Sequence, residues 1–310
     1  MSAAERPPAV SVIIATYRRP HLLPRAIRSV LAQTFTDFEL IVVDDGSGDE
    51  TAEVVAGFVD PRLRYICLET NGGVANARNQ AVERAQGEWL VFVDDDDRVE
   101  PEFIATLIGA LSQATPRVGF GWTWKRIVAL ADGEERELRL QTYGAHSADP
   151  RPGVSLYARL WGGAGGLTVR RAAFGQIGGF NPQYQTAEDL DLLLRMAPYY
   201  DYVVVPEPLY LVSNHEGGQL TKFSLKQAHS HELLLAQHGA LLSRRVRRNH
   251  VLLLARIYFA LDRRADGRRV LAAYLRREPW QWRAWKAWAE FEMSPLLPAQ
   301  RRQQIFRPIR

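Results

Sequence analysis

Apolar residues follow two alternating rhythms over the first hundred positions. Val10–Ala15 is a short run rich in β-branched side chains, and similar runs return at Phe38–Val43, Leu63–Leu68 and Glu88–Val93. Between them the spacing lengthens to that of a helix. Pro20–Gln33 sets Leu22, Leu23, Ala26, Ile27, Val30 and Leu31 on one side, and Glu50–Val59 and Val74–Ala85 also read as helices. Strands separated by helices of about 10–15 residues predict βαβ units and a parallel sheet. Ligands on such sheets bind at the carboxyl ends of the strands. Here those ends carry Thr16-Tyr17-Arg18, Asp44-Asp45 and Asp94–Asp97.

The rhythm then changes. Val118–Val128 and Glu137–Gln141 read as strands with a turn near Asp132-Gly133, and Pro150–Gly166 as a glycine-rich loop. Glu188–Met196 is a short helix with Glu188, Asp189 and Asp191 in its first turn. Tyr202–Val205 and Leu209–Val212 are strands around Pro206 and Pro208. From about Ser224 the pattern is helical to near Glu292, with breaks expected near Asp266-Gly267 and Pro279. One helix pair around 250–278 has the look of a single tetratricopeptide unit, too little for a solenoid. The change of character divides the chain into residues 1–222 and a helical region 223–310.

Composition narrows the class. With 310 residues, 46% hydrophobic and 24% charged, the chain is not a disordered one. Its apolar runs fall short of the ~20 residues that a membrane-crossing helix needs. Met1–Val10 lacks the apolar core of a secretory signal. Cys67 is the only cysteine, so no intrachain disulfide can form and a cytoplasmic setting is expected. Charge is uneven: residues 241–310 hold 17 Lys+Arg against 5 Asp+Glu, residues 1–240 hold 22 against 30. The acidic front argues against a broad nucleic-acid face. In the basic tail, Trp280, Trp282, Trp285 and Trp288 alternate with Arg283 and Lys286. Such an element suits peripheral contact with an anionic membrane. The small Ala289 breaks the apolar stripe, so packing of the tryptophans onto the catalytic part is the favoured expectation.

Four motifs could carry chemistry. Val91–Asp97 ends a strand in four adjacent carboxylates, whose mutual repulsion a divalent cation would offset; the plain alternative is a solvated acidic loop. Asp44-Asp45-Gly46-Ser47 is either a turn or a carboxylate aimed at a base or ribose. Asn71-Gly72-Gly73 enters a helix in which Arg78 could reach a phosphate or a carboxylate. The acids at Glu188-Asp189 either satisfy a helix dipole or remove a proton from an acceptor hydroxyl.

Taken in order, SVIIATYRRP, SVLAQTFTDFELIVVDDGSGDET, NGGVANARNQAVERAQGEWLVFVDDDD and IGGFNPQYQTAEDLDLLLRMA resemble a family-2 glycosyltransferase over roughly residues 9–215. The resemblance implies the α/β GT-A fold, a Rossmann-like mixed sheet flanked by helices, here with a C-terminal helical extension. It implies an inverting enzyme using a nucleotide-diphosphate sugar, UDP-linked first, with Mg²⁺ or Mn²⁺, and a glycan or lipid-linked acceptor. Asp94-Asp95-Asp96 matches the DXD motif, with Asp96 as metal ligand and Asp95 facing ribose or sugar. Asp45 matches the base-reading aspartate. Ala15, Thr16, Tyr17 and Arg18 fall where the first strand meets the nucleotide, and Arg78 where a basic residue approaches it. Asp189 matches the catalytic base, Glu188 would hold the acceptor, and His215 lies where many members contact diphosphate or metal. The Gly162–Gly166 loop could move over the donor, and Trp122, Trp124 or Trp161 could stack on a sugar, although packing is the commoner fate of each. The QxxRW signature of processive synthases is missing, and Arg18 replaces a usual Asn. A nucleotidyltransferase and an inactive carbohydrate- or partner-binding module are the competing readings. The first should show a glycine-rich phosphate loop after the first strand, which Thr16-Tyr17-Arg18-Arg19 does not supply.

Overall fold

The computed structural model describes residues 6–131, 134–142, 164–214 and 223–296. The chain forms two compact units, Met1–Pro182 with Glu188–His215, and Gln183–Ala187 with Glu216–Arg310.

The first unit is built on one mixed sheet. Strands β1 (Val10–Thr16), β2 (Phe38–Asp44), β3 (Leu63–Cys67) and β4 (Trp89–Asp94) run parallel in the order β3-β2-β1-β4. Helices α1 (Leu23–Leu31), α2 (Thr51–Ala56) and α3 (Val74–Val82) connect them, so the expected alternation holds, with α2 shorter than its apolar pattern. All seven residues of β2 are buried, which is why Leu40–Val43 is a continuous apolar run, while the buried Glu39 accepts from Ser11 Oγ at 2.8 Å. One sheet face packs Val12, Ile14, Leu40, Val91 and Val93 against Leu23, Ile27 and Val30 of α1 and against Phe103, Ile104 and Leu107 of α4 (Phe103–Ser112). Each such side chain contributes about 1.5–3 kcal/mol on full burial. Pattern reading passed over α4 because its sequence, FIATLIGALS, has almost no polar contrast around the helix.

Beyond β4 the sheet continues through β8 (Thr168–Arg170), β6 (Val118–Ala131), β9 (Asp201–Asn214) and β5 (Arg98–Val99), with β7 (Glu134–Gln141) paired to β6. The turn expected at Asp132-Gly133 lies outside the described residues. The two strands expected around Pro206 and Pro208 are one strand. It pairs with β6 at Thr123↔Val205 and again at Lys125↔Tyr210, and the prolines occupy the stretch that skips β6. Helices α5 (Arg171–Ile177) and α6 (Glu188–Met196) complete this unit.

The second unit contains α7 (Leu225–His238), α8 (Arg244–Ala260), α9 (Arg264–Arg277) and α10 (Trp282–Met293). Ser224 and Ser243 cap α7 and α8 by accepting from Gln227 N and Val246 N. Ala255, Phe259, Leu271, Leu275, Ala284 and Phe291 form the core of α8, α9 and α10. The break expected at Asp266-Gly267 falls inside α9 and is corrected by the structure. The chain turns at Asp262, whose φ is 58°, while Arg263 N donates to Tyr258 O at 2.8 Å and Asp262 N to Phe259 O at 3.2 Å. That pair of bonds is a Schellman motif with Asp in the left-handed position usually held by Gly. Gly267 serves packing instead: a Cβ there would lie 2.5 Å from the Phe259 ring. Residues 183–187 belong with these helices. Tyr184 Oη donates to Gln237 Oε1 at 2.9 Å, and Ser230 Oγ accepts from Gln185 N and Thr186 N at 3.1 and 3.2 Å. A boundary at residue 222 does not register that excursion.

Candidate active site

The order β3-β2-β1-β4 adds strands to both sides of β1, so a crevice opens at the carboxyl ends of β1 and β4. Register sets Thr16 opposite Asp44 and Ala15 opposite Asp94. The motifs expected to act together therefore meet at one sheet edge.

The four aspartates after β4 divide by burial. Asp95 and Asp97 are buried, at 5% and 4% exposure. Asp95 accepts from Thr16 Oγ1 at 2.7 Å and from Arg19 Nη1 at 2.9 Å. Asp97 accepts from Ser213 N at 2.9 Å and from the Tyr210 hydroxyl, which in turn accepts from Asp94 N at 3.1 Å. Asp94 and Asp96 are partly open; Asp94 accepts from Arg78 Nη2 at 2.7 Å and Asp96 from Arg19 Nη1 at 3.0 Å. Burial pushes the Asp95 carboxyl up to about 6, against the opposing pull of Arg19, and holds Asp97 well above the usual range.

The repulsion among these carboxylates is offset within the protein, which leaves the expected divalent cation compatible with the site but not required to hold the loop together. Arg19 and Arg78 already pair with three of the four carboxylates, and buried Lys125 adds a cation near Asp94 and Asp97. Sequence reasoning gave Arg19, Lys125 and Tyr210 no role. Arg19 had a local signal, as the second base after β1. Lys125 and Tyr210 had none, because only the pairing of β6 with β9 brings them to this edge. The Lys125 ammonium lies 5.1 Å from the centre of the Tyr210 ring, and burial lowers its pKa.

Arg78 links two motifs. Its Nη2 holds Asp94 and its Nη1 donates to Glu188 Oε1 at 2.6 Å, from a side chain only 6% exposed. The guanidinium thus ties the end of β4 to the first residue of α6. Glu188 is buried and its carboxyl is pushed up to about 7 by burial, which outweighs Arg78. Asp189 is half-buried, accepts from Leu190 N at 2.8 Å, and is raised by burial against the cations Arg78 and Lys125. Ala187, just before the pair, has φ 61°, a left-handed conformation that costs a β-carbon residue about 1–2 kcal/mol.

Asp45 is buried and accepts from Gly72 N, Gly73 N and Asn71 Nδ2 at 2.8, 2.8 and 2.9 Å. The Asp-Asp and Asn-Gly-Gly motifs are therefore two halves of one hydrogen-bonded corner. Asp44 accepts from Ser47 N, Ser47 Oγ and the Tyr65 hydroxyl at 3.0, 2.5 and 2.8 Å. Arg18 has φ 54° and donates its N–H to Ser47 Oγ at 2.9 Å. Asn enters that conformation readily, which gives a backbone reason for the usual Asn there. The exposed Tyr17 ring lies 5.2 Å from the Arg18 guanidinium carbon.

His215, Trp161, Gly162 and Gly163 lie outside the described residues. The described end of the glycine loop is fixed: Gly166 N donates to Phe92 O at 2.7 Å, and a Cβ on Gly165 would lie 2.3 Å from the Tyr210 hydroxyl. Trp122 is buried and stacks on Tyr202 at 5.3 Å, so it is a packing residue, and Trp124 is half-buried.

Among the described residues, no three His, Cys, Asp or Glu side chains converge to hold a metal by themselves. The partly open Asp94 and Asp96 are hard oxygen donors, the set that Mg²⁺ or Mn²⁺ takes when substrate phosphates and water complete the shell. The residues fit such an ion on that basis.

The sequence profile of glycosyl transferase family 2 matches residues 11–174. The chain belongs to that family. An uncharacterized glycosyltransferase of Haemophilus influenzae is 29% identical over 211 residues, 66% of this chain and 68% of its own length. Succinoglycan biosynthesis protein ExoO of Rhizobium meliloti is 40% identical over 106 residues, 34% of this chain and 30% of its own. UDP-Glc:alpha-D-GlcNAc-diphosphoundecaprenol beta-1,3-glucosyltransferase WfgD of Escherichia coli is 41% identical over 88 residues, 28% of this chain and 35% of its own. The chain thus spans only about a third of ExoO and of WfgD. Among solved structures, S. aureus TarS 1-349 with UDP-GlcNAc superposes with a TM-score of 0.61 at 20% identity, covering 96% of this chain and 78% of that one. Mannosyltransferase PcManGT of Pyrobaculum calidifontis, with GDP-Man and Mn²⁺, gives 0.57 at 18% identity, covering 96% and 83%. The family-2 chain has the GT-A fold of these enzymes, with a helical C-terminal region added.

Proposed function

We propose that the chain transfers a sugar from a nucleotide-diphosphate donor, a UDP-sugar first, to a hydroxyl of a glycan or lipid-linked acceptor, with inversion at the anomeric carbon. The observation that supports this reading most is the Arg78 bridge, whose guanidinium donates to Asp94 at the end of β4 and to Glu188 at the start of α6. Relatives supply the substrate class. TarS and PcManGT hold UDP-GlcNAc and GDP-Man, and WfgD is named for transfer to a diphosphoundecaprenol-linked sugar.

Each residue then has a task. The crevice above β1 and β4 receives the nucleotide, with Ala15, Tyr17 and Arg18 on its β1 side and Asp45 bracing the corner that reads the base. Asp95, fixed by Thr16 and Arg19, faces ribose or sugar. Asp96, with Asp94 and the expected His215, would hold Mg²⁺ or Mn²⁺, which when bound supplies positive charge to the leaving diphosphate. Asp189 accepts the acceptor's proton as the acceptor oxygen bonds to the anomeric carbon. The carbon–phosphate-oxygen bond breaks on the opposite side, and its electron pair leaves with the nucleotide diphosphate. Burial makes Asp189 a stronger base near neutral pH than an exposed aspartate. Glu188 is held by Arg78, which leaves Asp189 as the carboxylate open to an acceptor. The work belongs at the cytoplasmic side of a membrane, where nucleotide sugars and lipid-linked acceptors meet.

Purified protein given UDP- and GDP-sugars with a soluble acceptor tests this. Release of nucleotide diphosphate that needs Mg²⁺ or Mn²⁺ and stops with chelator, with product of inverted anomeric configuration by NMR, is the expected result. Retained configuration, or release of pyrophosphate from a nucleotide triphosphate and a sugar phosphate, would refute it.

A further inference from the structure

Every exposed tryptophan among the described residues lies within six positions of the second unit. Trp280, Trp282 and Trp285 are 93%, 63% and 51% exposed, whereas packing was the expectation for them. The reason lies in the period of α10. Ala284 and Phe291, with Ala287 and Trp288, face the helical core. Trp282, Trp285, Ala289 and Met293 recur at helical spacing on the opposite side, and Met293 is 53% exposed. Ala289 is thus the low point of an outward stripe, not a gap in an inward one. Leu296 continues the apolar edge at 84% exposure.

The flanks are basic. Arg276 and Arg277 are exposed at the end of α9, and the exposed Arg283 lies 5.5 Å from the Trp282 ring centre. Nearby acids are paired: Glu278 with Arg244 at 3.6 Å, Glu290 with Lys286 at 3.7 Å, and Glu292 with Arg268 at 2.5 Å.

We propose that α10 and the turn before it dock on an anionic lipid surface, with Trp280, Trp282 and Trp285 entering the headgroup layer and Arg276, Arg277 and Arg283 meeting lipid phosphates. Indole rings have an apolar body and one polar N–H, which suits the boundary between acyl chains and headgroups. Charge selects this occupant over two others. A second copy docking through the same face would bring the same basic flank. The chain's own end, residues 297–310, carries Arg301, Arg302, Arg307 and Arg310 and no acid. Either would add like charge, whereas an anionic layer neutralises it. The lipid-linked acceptor of the proposed function gives the docking its purpose, but the contact rests on α10 and its flanks alone.

Flotation of the full chain with phosphatidylcholine vesicles, with and without phosphatidylglycerol, at low and high salt, tests the face. Binding to the anionic vesicles that salt weakens is expected. Trp280→Ser/Trp282→Ser and Arg276→Gln/Arg277→Gln/Arg283→Gln should each weaken it by about tenfold or more with unchanged melting temperature. Wild type that fails to float at low salt, or a tryptophan variant that floats like wild type, overturns the proposal. So does a lipid-independent dimer that the tryptophan variant abolishes. Nucleotide release without vesicles should be the same in all three proteins; its absence from wild type would count against the transferase reading and leave the docking result standing.

Discussion

Arg19 and Arg78 make neighbouring aspartates unequal in what their loss costs. Asp96 is partly open, with its side chain 14% exposed against 6% for Asp95, and it shares Arg19 with the buried Asp95. Asp96→Ala leaves Arg19 its second partner, so stability should change by no more than about 1 kcal/mol. Transfer should fall about a hundredfold, because in the proposed function Asp96 would hold the divalent cation that offsets the charge of the leaving diphosphate. Asp95→Ala strips buried acceptors from Thr16 and Arg19 and should cost about 3–5 kcal/mol. Thermal melts of the two variants, with turnover measured beside them, check the contrast; equal melting temperatures would deny it. Glu188 gives a pH signature. Its carboxyl rises from 4.5 to about 7 on folding, so the folded protein binds the extra proton. That contribution to stability is fully present below about 4.5 and is lost as pH rises through about 7. His231 and His250 act oppositely below 6.5, because burial lowers them to about 3 and about 4. The comparison is therefore between wild type and Glu188→Gln at each pH. The melting temperature of wild type relative to the variant should decline from pH 5 to pH 8, whereas a constant offset would mean that Glu188 does not titrate there.

Elements were legible where one rule governed them. The strands β1, β2 and β4 show as apolar runs with polar ends, Thr16 on β1 and aspartates on β2 and β4, because the sheet buries them and opens a crevice at their ends. The counter-cation Lys125 was hidden, since its environment depends on a partner strand some eighty residues away. Asp266-Gly267 misled for a related reason. Glycine signals a helix end when it stands alone, but Gly267 admits the Phe259 ring from α8. Gly267→Ala should therefore lower stability by about 1–3 kcal/mol, although alanine is the better helix former. Gly175→Ala in α5 meets nothing within 4 Å and should be neutral or stabilising by up to about 1 kcal/mol. Melting both variants checks the pair, and a stabilised Gly267→Ala would show that the ring can move aside.

The whole chain is less divisible than its composition suggests. Sequence character changes near residue 222, yet residues 183–187 pack with the helices and lead directly into Glu188. A chain ending at residue 222 would leave Tyr184, 1% exposed in the full protein, without Gln237 and without the helices around it. Such a chain should aggregate or elute as a broad species in size-exclusion chromatography. A sharp monomer with native circular dichroism would show instead that the excursion is dispensable. The charge asymmetry, by contrast, was readable at once; what it serves was not, because outward and inward tryptophans look alike until the helix phase of α10 is known.

In the proposed function Asp189 is the group that takes the acceptor's proton. Asp189→Asn keeps the side chain's shape and removes its basicity. Donor affinity by calorimetry, measured with sugar transfer on the same preparation, is the decisive pairing. Affinity close to wild type with transfer down about a hundredfold to ten-thousandfold is the expected outcome. Transfer within a few-fold of wild type, or loss of donor binding together with transfer, would contradict it.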